Sequence, residues 1–357
     1  MKKLYTIVFA FILFQASAQT YREEEVQFTN EDTQLSGTLS FPEGDQKSYG
    51  AIILVSGSGP QNRDSDILGF KPFKLLADYF NSQGWAVLRY DDRGFGKSTG
   101  KSVNESTTAD LAMDATEAYR YLKSRPDINK SKIGLLGHSE GGVIVPIVAN
   151  KEPDVAFLIL KAGFGVKGSE VSTVQQKAVL RSSGMSEEFV EASSTMNQKV
   201  LAMMSDDSVS EEELSTFVKA ETLKLLEFLP EETLKQIPDR NAYAEMGAKQ
   251  AVGQSKVPWL KYYMSYDPYP ALTKVKCPVL ILFGELDTQV LASQNLEPME
   301  NALKEGGNKD FKTVIIPKAN HLFQEAVTGS PGEYGSLKKE FAPGFLSTMG
   351  EWLNSRF

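Results

Sequence analysis

Short, largely apolar runs recur along the chain, and segments of helical period follow most of them. The runs at 51–55, 86–90, 133–136, 155–160 and 279–283 have the length and β-branched content of strands buried on both faces. Between them, 73–83 places Phe73, Leu76, Ala77 and Phe80 on one helical face and closes at Gly84. The segment 108–124 repeats the pattern with Leu111, Ala115, Ala118, Tyr119 and Leu122. Further helices are predicted from Ser139 to about 150, over 293–305 and over 345–354, with another strand at 311–316. At the start, 21–42 is strand-like, carrying Val26, Phe28, Leu35, Thr38, Leu39 and Phe41. Strands alternating with helices predict an α/β architecture: a mostly parallel central sheet with helices on both faces.

The alternation stops near Gly163 and resumes at Val279. A crossover between neighbouring strands needs only a few tens of residues, so over a hundred signals an insertion. Its pattern is helical and rich in Glu, Lys, Leu and Met, with breaks at Gly184, Pro230, Pro238 and Pro258. Pro230 and Pro238 bracket a segment expected to form a separate helical turn. The domain reading is 1–18 signal peptide, 19–165 first part of the core, 166–259 helical cap and 260–357 second part of the core. Leu214, Phe217, Val218, Leu225, Leu226 and Leu229 form an apolar stripe in the cap, with Met203, Met204 and Met264 nearby in sequence. Such a stripe packs the cap; facing Ser139 instead, it would select acyl or aromatic groups. The acidic run Asp206, Asp207, Glu211, Glu212 and Glu213 reads as a solvated helix start.

Composition narrows the function classes. A formal charge of −8 argues against a nucleic-acid surface. Lys2 and Lys3, an apolar stretch over 4–14 and Ala16-Ser17-Ala18 form a secretory-type leader, too short to span a bilayer comfortably. This predicts export to the periplasm or outside, with cleavage after Ala18 and no stable membrane insertion afterwards. Cys277 is the single cysteine, so an internal disulfide is excluded; it reads as a structural thiol. Two histidines and one cysteine form no metal-ligand cluster, and no EF-hand loop is present. No cofactor or metal is expected.

Ser139 carries the chemistry. It sits in Gly137-His138-Ser139-Glu140-Gly141, between the apolar strand 133–136 and a helix start. A serine on a strand-to-helix turn, flanked by small residues, presents its hydroxyl beside the first amides of the helix. That hydroxyl needs a base, and the base needs an orienting carboxylate. Only His138 and His321 are available. His138, adjacent in sequence, is expected to point away from the hydroxyl and to pack beneath the turn. His321 follows the strand 311–316 at the carboxyl edge of the sheet, where ligands bind. Glu285 and Asp287 both follow the strand 279–283; Asp287 is favoured because it lies further past Gly284, and Glu285 is read as a loop carboxylate. The amide of Glu140 and that of Ser58, in Ser56-Gly57-Ser58-Gly59-Pro60, are the expected oxyanion donors.

These motifs resemble the α/β-hydrolase superfamily, in particular its serine aminopeptidase-like and dienelactone hydrolase-like bacterial branches. Besides the Ser139 motif, the likeness rests on Tyr90-Asp91-Asp92-Arg93-Gly94-Phe95-Gly96-Lys97-Ser98, on Gly284, Asp287 and Val290, and on Asn320-His321. It covers roughly 35–357, least well in the cap. The chain order Ser139, Asp287, His321 is the superfamily's order. Many relatives open the oxyanion loop with His-Gly, where this chain has Ser56-Gly57. The resemblance implies a Ser139–Asp287–His321 triad with Ser58 and Glu140 as oxyanion donors, and structural support from Asp92 to Gly96. The expected activity is that of a secreted serine hydrolase cleaving carboxylic esters of small molecules through an acyl-enzyme. The alternative is a serine aminopeptidase acting on small peptides or aminoacyl amides.

Overall fold

The computed structural model describes residues 21–44, 47–206 and 208–357; the leader-like segment lies outside these described residues. Eight strands form one sheet: β1 (Glu23–Asn30), β2 (Thr33–Ser40), β3 (Tyr49–Val55), β4 (Trp85–Tyr90), β5 (Ile128–His138), β6 (Leu158–Lys161), β7 (Val279–Gly284) and β8 (Phe311–Ile316). Their order is β1-β2-β4-β3-β5-β6-β7-β8. β1 and β2 form an antiparallel hairpin, and β2 runs antiparallel to β4. The remaining pairings, from β4 through β8, are parallel.

Helices cover both faces because the strand residues alternate between them. Ile53, Val55, Leu135, Leu158, Leu160, Ile281 and Phe283 pack with residues of α2 (Thr108–Ser124), α3 (Gly141–Lys151) and α11 (Ala292–Glu305). Ile52, Leu54, Leu136, Ile159, Leu280 and Leu282 pack with α1 (Pro72–Ser82) and α12 (Phe345–Asn354) on the other face. Local signals place the helix ends. Pro72 opens α1, and Gly84, at φ +89°, lies just past its end. Thr107 and Asp110 form a reciprocal capping box at the start of α2. The buried Arg93 guanidinium grips the Asp114 carboxylate of α2 from Nε and Nη2 at 2.7 and 2.8 Å. That fork anchors the loop after β4.

Between β6 and β7 the chain forms α4 (Gly168–Ser182), α5 (Glu187–Ser205), α6 (Glu211–Leu226), α7 (Glu231–Leu234), α8 (Arg240–Ser255), α9 (Pro258–Ser265) and α10 (Tyr269–Leu272). The short α7 fills the segment between Pro230 and Pro238. The sequence boundary at Trp259 falls inside α9, and helices continue to Leu272. Leu214 and Val218 of the α6 stripe turn toward Val200, Ala248 and Ala251, with Phe217, Met203 and Met204 against the same cluster. Val218, Leu225, Leu226 and Leu229 also line a cavity of about 460 Å³ inside this helical segment, which Ser139 does not line. The stripe therefore packs the insertion on itself. The acidic start of α6 is solvated, with Ser210 and Glu213 capping it.

Candidate active site

The carboxyl ends of β3, β5, β7 and β8 bring four segments to one edge. Ser139 follows β5 with φ at +55°, a left-handed conformation that non-glycine residues adopt only under constraint. The turn is tight enough to require glycine on both sides. A Cβ on Gly137 would lie 2.0 Å from the Gly141 carbonyl oxygen, and one on Gly141 would lie 2.3 Å from that of Val55. The Ser139 amide donates to the Lys161 carbonyl at 2.9 Å, tying the turn to β6. Its own carbonyl accepts from Gly142 in the first turn of α3. Gly57 in the loop after β3 lies against the serine: a Cβ there would come within 3.1 Å of the Ser139 Cβ.

His321 Nδ1 lies 2.8 Å from Asp287 Oδ2, and both side chains are almost wholly buried. Asp287 Oδ1 accepts the amides of Gln289 and Val290 at 2.8 and 2.9 Å. The loop after β7 thus folds back on its own carboxylate and aims its second oxygen at the imidazole. Asn320 braces the histidine loop by accepting the amides of Leu322 and Gln324. Glu285, the other carboxylate considered, instead accepts the Lys318 amide at 2.8 Å from an exposed position.

Ser139 and His321 line one cavity of about 350 Å³. Its wall includes Gly57, Ser58, Gln61 and Ile67 from the loop after β3, and Trp259, Tyr263 and Met264 from α9. Gln175 of α4 donates weakly to Gln289 at 3.4 Å, and Gln289 donates to the Tyr334 hydroxyl at 2.6 Å, so a polar belt crosses the cavity. Among the described residues, no Asp, Glu, Lys or Arg lines it. Neither is any group of three or more His, Cys, Asp or Glu among them arranged to hold a metal.

Two features differ from the expectations for this edge. His138 does not turn away: its ring lies 4.7 Å from that of His321, centroid to centroid, and lines the same cavity. Lys161, at the end of β6, was missed. It is wholly buried, with Nζ 3.1 Å from His138 Nδ1 and 4.7 Å over the Phe323 ring. Burial lowers its pKa to about 7, opposed by the Asp287 charge. Burial, then the charge of Lys161, keeps the His138 pKa far below the ordinary histidine value, so this ring stays neutral. The sequence did carry a signal, a lysine interrupting the apolar run Leu158-Ile159-Leu160-Lys161-Ala162.

The supporting motif after β4 also reaches this edge. Asp92 accepts from the Ser56 hydroxyl at 2.5 Å and the Gln61 amide at 2.8 Å, holding both ends of the loop that carries Gly57 and Ser58. Burial pushes the Asp92 pKa up to about 8, against those hydrogen bonds. Cys277 is half-buried, with its thiol pushed up to about 12 by desolvation.

Comparison with known proteins agrees with this architecture. Residues 70–235 match the family described as serine aminopeptidase, S33, and residues 240–338 match the prolyl oligopeptidase family. Esterase EstD of Thermotoga maritima is 27% identical over 289 residues, a match covering 81% of this chain but only 58% of the esterase. Crystal structures of a Pyrococcus furiosus esterase and of a proline iminopeptidase from Mycobacterium smegmatis superpose with TM-scores of 0.54 and 0.55. Their identities are 16% and 15%; the matches cover 94% and 93% of this chain and 92% and 98% of those proteins. At that identity the likeness speaks for the fold alone. With its mostly parallel eight-stranded sheet and these relatives, the chain belongs to the α/β-hydrolase superfamily.

Proposed function

We propose that the protein is an exported serine hydrolase that cleaves neutral carboxylic esters through an acyl-enzyme. The observation that carries this reading is the His321–Asp287 pair, held at 2.8 Å, with His321 lining the cavity that the strained Ser139 also lines. In the proposed reaction the Ser139 hydroxyl attacks the ester carbonyl while His321 Nε2 takes its proton. The Nδ1–H donates to Asp287, which fixes the tautomer and stabilises the imidazolium. The backbone amides of Ser58 and Glu140 receive the developing oxyanion. The imidazolium then protonates the departing alkoxide. Water, deprotonated by the same histidine, releases the acid and restores Ser139.

Esters are favoured over aminoacyl amides by the cavity wall. An aminopeptidase recognises a substrate ammonium with a carboxylate, whereas the lining described here is uncharged. The S33 and prolyl oligopeptidase matches keep the peptidase alternative in view. Export rests on the basic, then apolar, then Ala-Ser-Ala start of the chain. A panel of alkyl and aryl esters beside aminoacyl amides, with Ser139→Ala as control, tests the reading. Ester turnover lost in Ser139→Ala is expected; faster turnover of amides than of esters would replace it with the peptidase.

A further inference from the structure

Glu140, the residue after the proposed nucleophile, has a wholly buried side chain that meets two separate segments. From α9, the Trp259 indole N–H donates to both carboxylate oxygens, at 2.9 and 3.0 Å. From the start of α2, the Thr108 hydroxyl donates at 2.7 Å. An indole N–H only donates, so the arrangement calls for an acceptor at the centre, which an ionised carboxylate supplies with up to four lone-pair sites. Burial opposes that ionised form and raises the carboxyl pKa; the hydrogen bonds from Thr108 and Trp259 work against the rise.

The location gives the cluster its meaning. Glu140 supplies one of the two proposed oxyanion amides, and its carboxylate ties that segment to α2 and α9 through side chains. Trp259 brings the cavity roof with it. On α9, Tyr263 stacks on Trp259 at 5.2 Å and meets Phe164 edge-on at 5.4 Å, and Met264 lies beside it. All three α9 side chains line the cavity. A shift of the helix would therefore pull on the hydrogen bonds that hold Glu140.

We propose that the Glu140 carboxylate is a positioning group that locks roof helix α9 to the oxyanion segment at Glu140, so that roof and oxyanion segment act as one unit. The proposal rests on the serine-hydrolase reading for its kinetic consequence and on the contacts alone for its structural one. Because the lock orients donors to charge that develops in the transition state, its loss lowers kcat rather than weakening ground-state binding.

The test uses the mature chain with Glu140→Gln, Trp259→Phe and the double variant. Each single change is expected to lower kcat roughly tenfold with KM within about threefold, and the double variant to fall no further than the worse single one. A structural defect shared by the whole protein would lower the melting temperature and the active fraction without this kcat–KM split and non-additivity. Trp259 emission gives a readout free of activity. The other two tryptophans, Trp85 and Trp352, are buried in the sheet domain, so Glu140→Gln should raise acrylamide quenching through Trp259, on the order of twofold. Unchanged quenching, multiplicative losses in the double variant, or kcat within twofold of wild type for Trp259→Phe would overturn the lock. If Glu140→Gln does not fold, the Trp259→Phe kinetics decide alone. Fluorophosphonate labelling of the wild type separates the two claims: no labelling sinks the serine-hydrolase reading, and the quenching result still judges the lock.

Discussion

The sheet and the helices inserted between β6 and β7 meet at one cavity, yet they are built differently. Strands β4, β6 and β7 are buried along their whole length, and their side chains feed two continuous clusters. In the insertion, α7 and α9 bury no residue completely, and the local core is the small group around Val200, Leu214, Val218, Ala248 and Ala251. The difference suits the two tasks. Reacting groups need sub-ångström placement, which strand ends backed by a dense core supply. Away from its Trp259 anchor the roof only has to shape the cavity, and a loosely packed helical layer tolerates change there.

The largest expected effect is at the sheet edge. Asp287→Asn should lower kcat by about 10² to 10⁴, because the asparagine no longer imposes the Nδ1–H tautomer on His321. Steady-state kinetics check it, and a loss below tenfold would break the assignment of Asp287. Next comes stability. Phe157, wholly buried among Trp85, Trp352 and Phe357, should cost about 3–5 kcal/mol when cut to alanine, against about 2 kcal/mol for Leu214→Ala in the insertion. Urea unfolding measures both, and the reverse order would undo the contrast between the two regions.

A third prediction concerns pH. The Lys161 pKa is about 7 in the folded protein, below its ordinary value of 10.5, so between these values the unfolded chain binds more protons. Wild-type stability should therefore rise with pH from about 7 to 10 relative to Lys161→Met, whose buried side chain has no proton to gain. Melting temperatures of the two proteins across that window decide; a constant gap would show that Lys161 does not titrate there. The smallest effect is expected in the roof. Met264→Ala should change KM by a few-fold and alter the ranking of acyl-chain lengths, while kcat for the shortest ester stays within about threefold. Uniform loss across the ester series would mean that Met264 supports the fold rather than selects substrate.

Much of this was legible in the chain. The apolar runs announced β3, β4 and β7, and amphipathic spacing marked α2 and α12 at their observed ends. Glycine on both sides of Ser139 pointed to the tight turn, and the segment after β7 offered Asp287 beyond Gly284. Less legible was anything that depends on neighbours distant in sequence. His138 was expected to be turned away from the Ser139 hydroxyl by the tight turn itself; its ring instead lies against that of His321, from a loop distant in sequence. Lys161 looked like the residue after a strand, yet it is sealed beneath Phe323 and Phe345 from the C-terminal part of the chain. The α6 stripe was visible, but not the partners that it packs against.

The sequence by itself determined the layered α/β plan, the nucleophile turn and the short menu of acid and base, because those follow from local period, glycine placement and the scarcity of histidine. Tertiary structure alone decided that Asp287 reaches His321, that Glu140 faces Trp259 and Thr108, and that the cavity wall is uncharged. The first two are contacts between segments up to 119 residues apart, and the third gathers its lining from Gly57 to Tyr334. Their juxtaposition depends on which strands pair and how the inserted helices dock, and no local pattern encodes either.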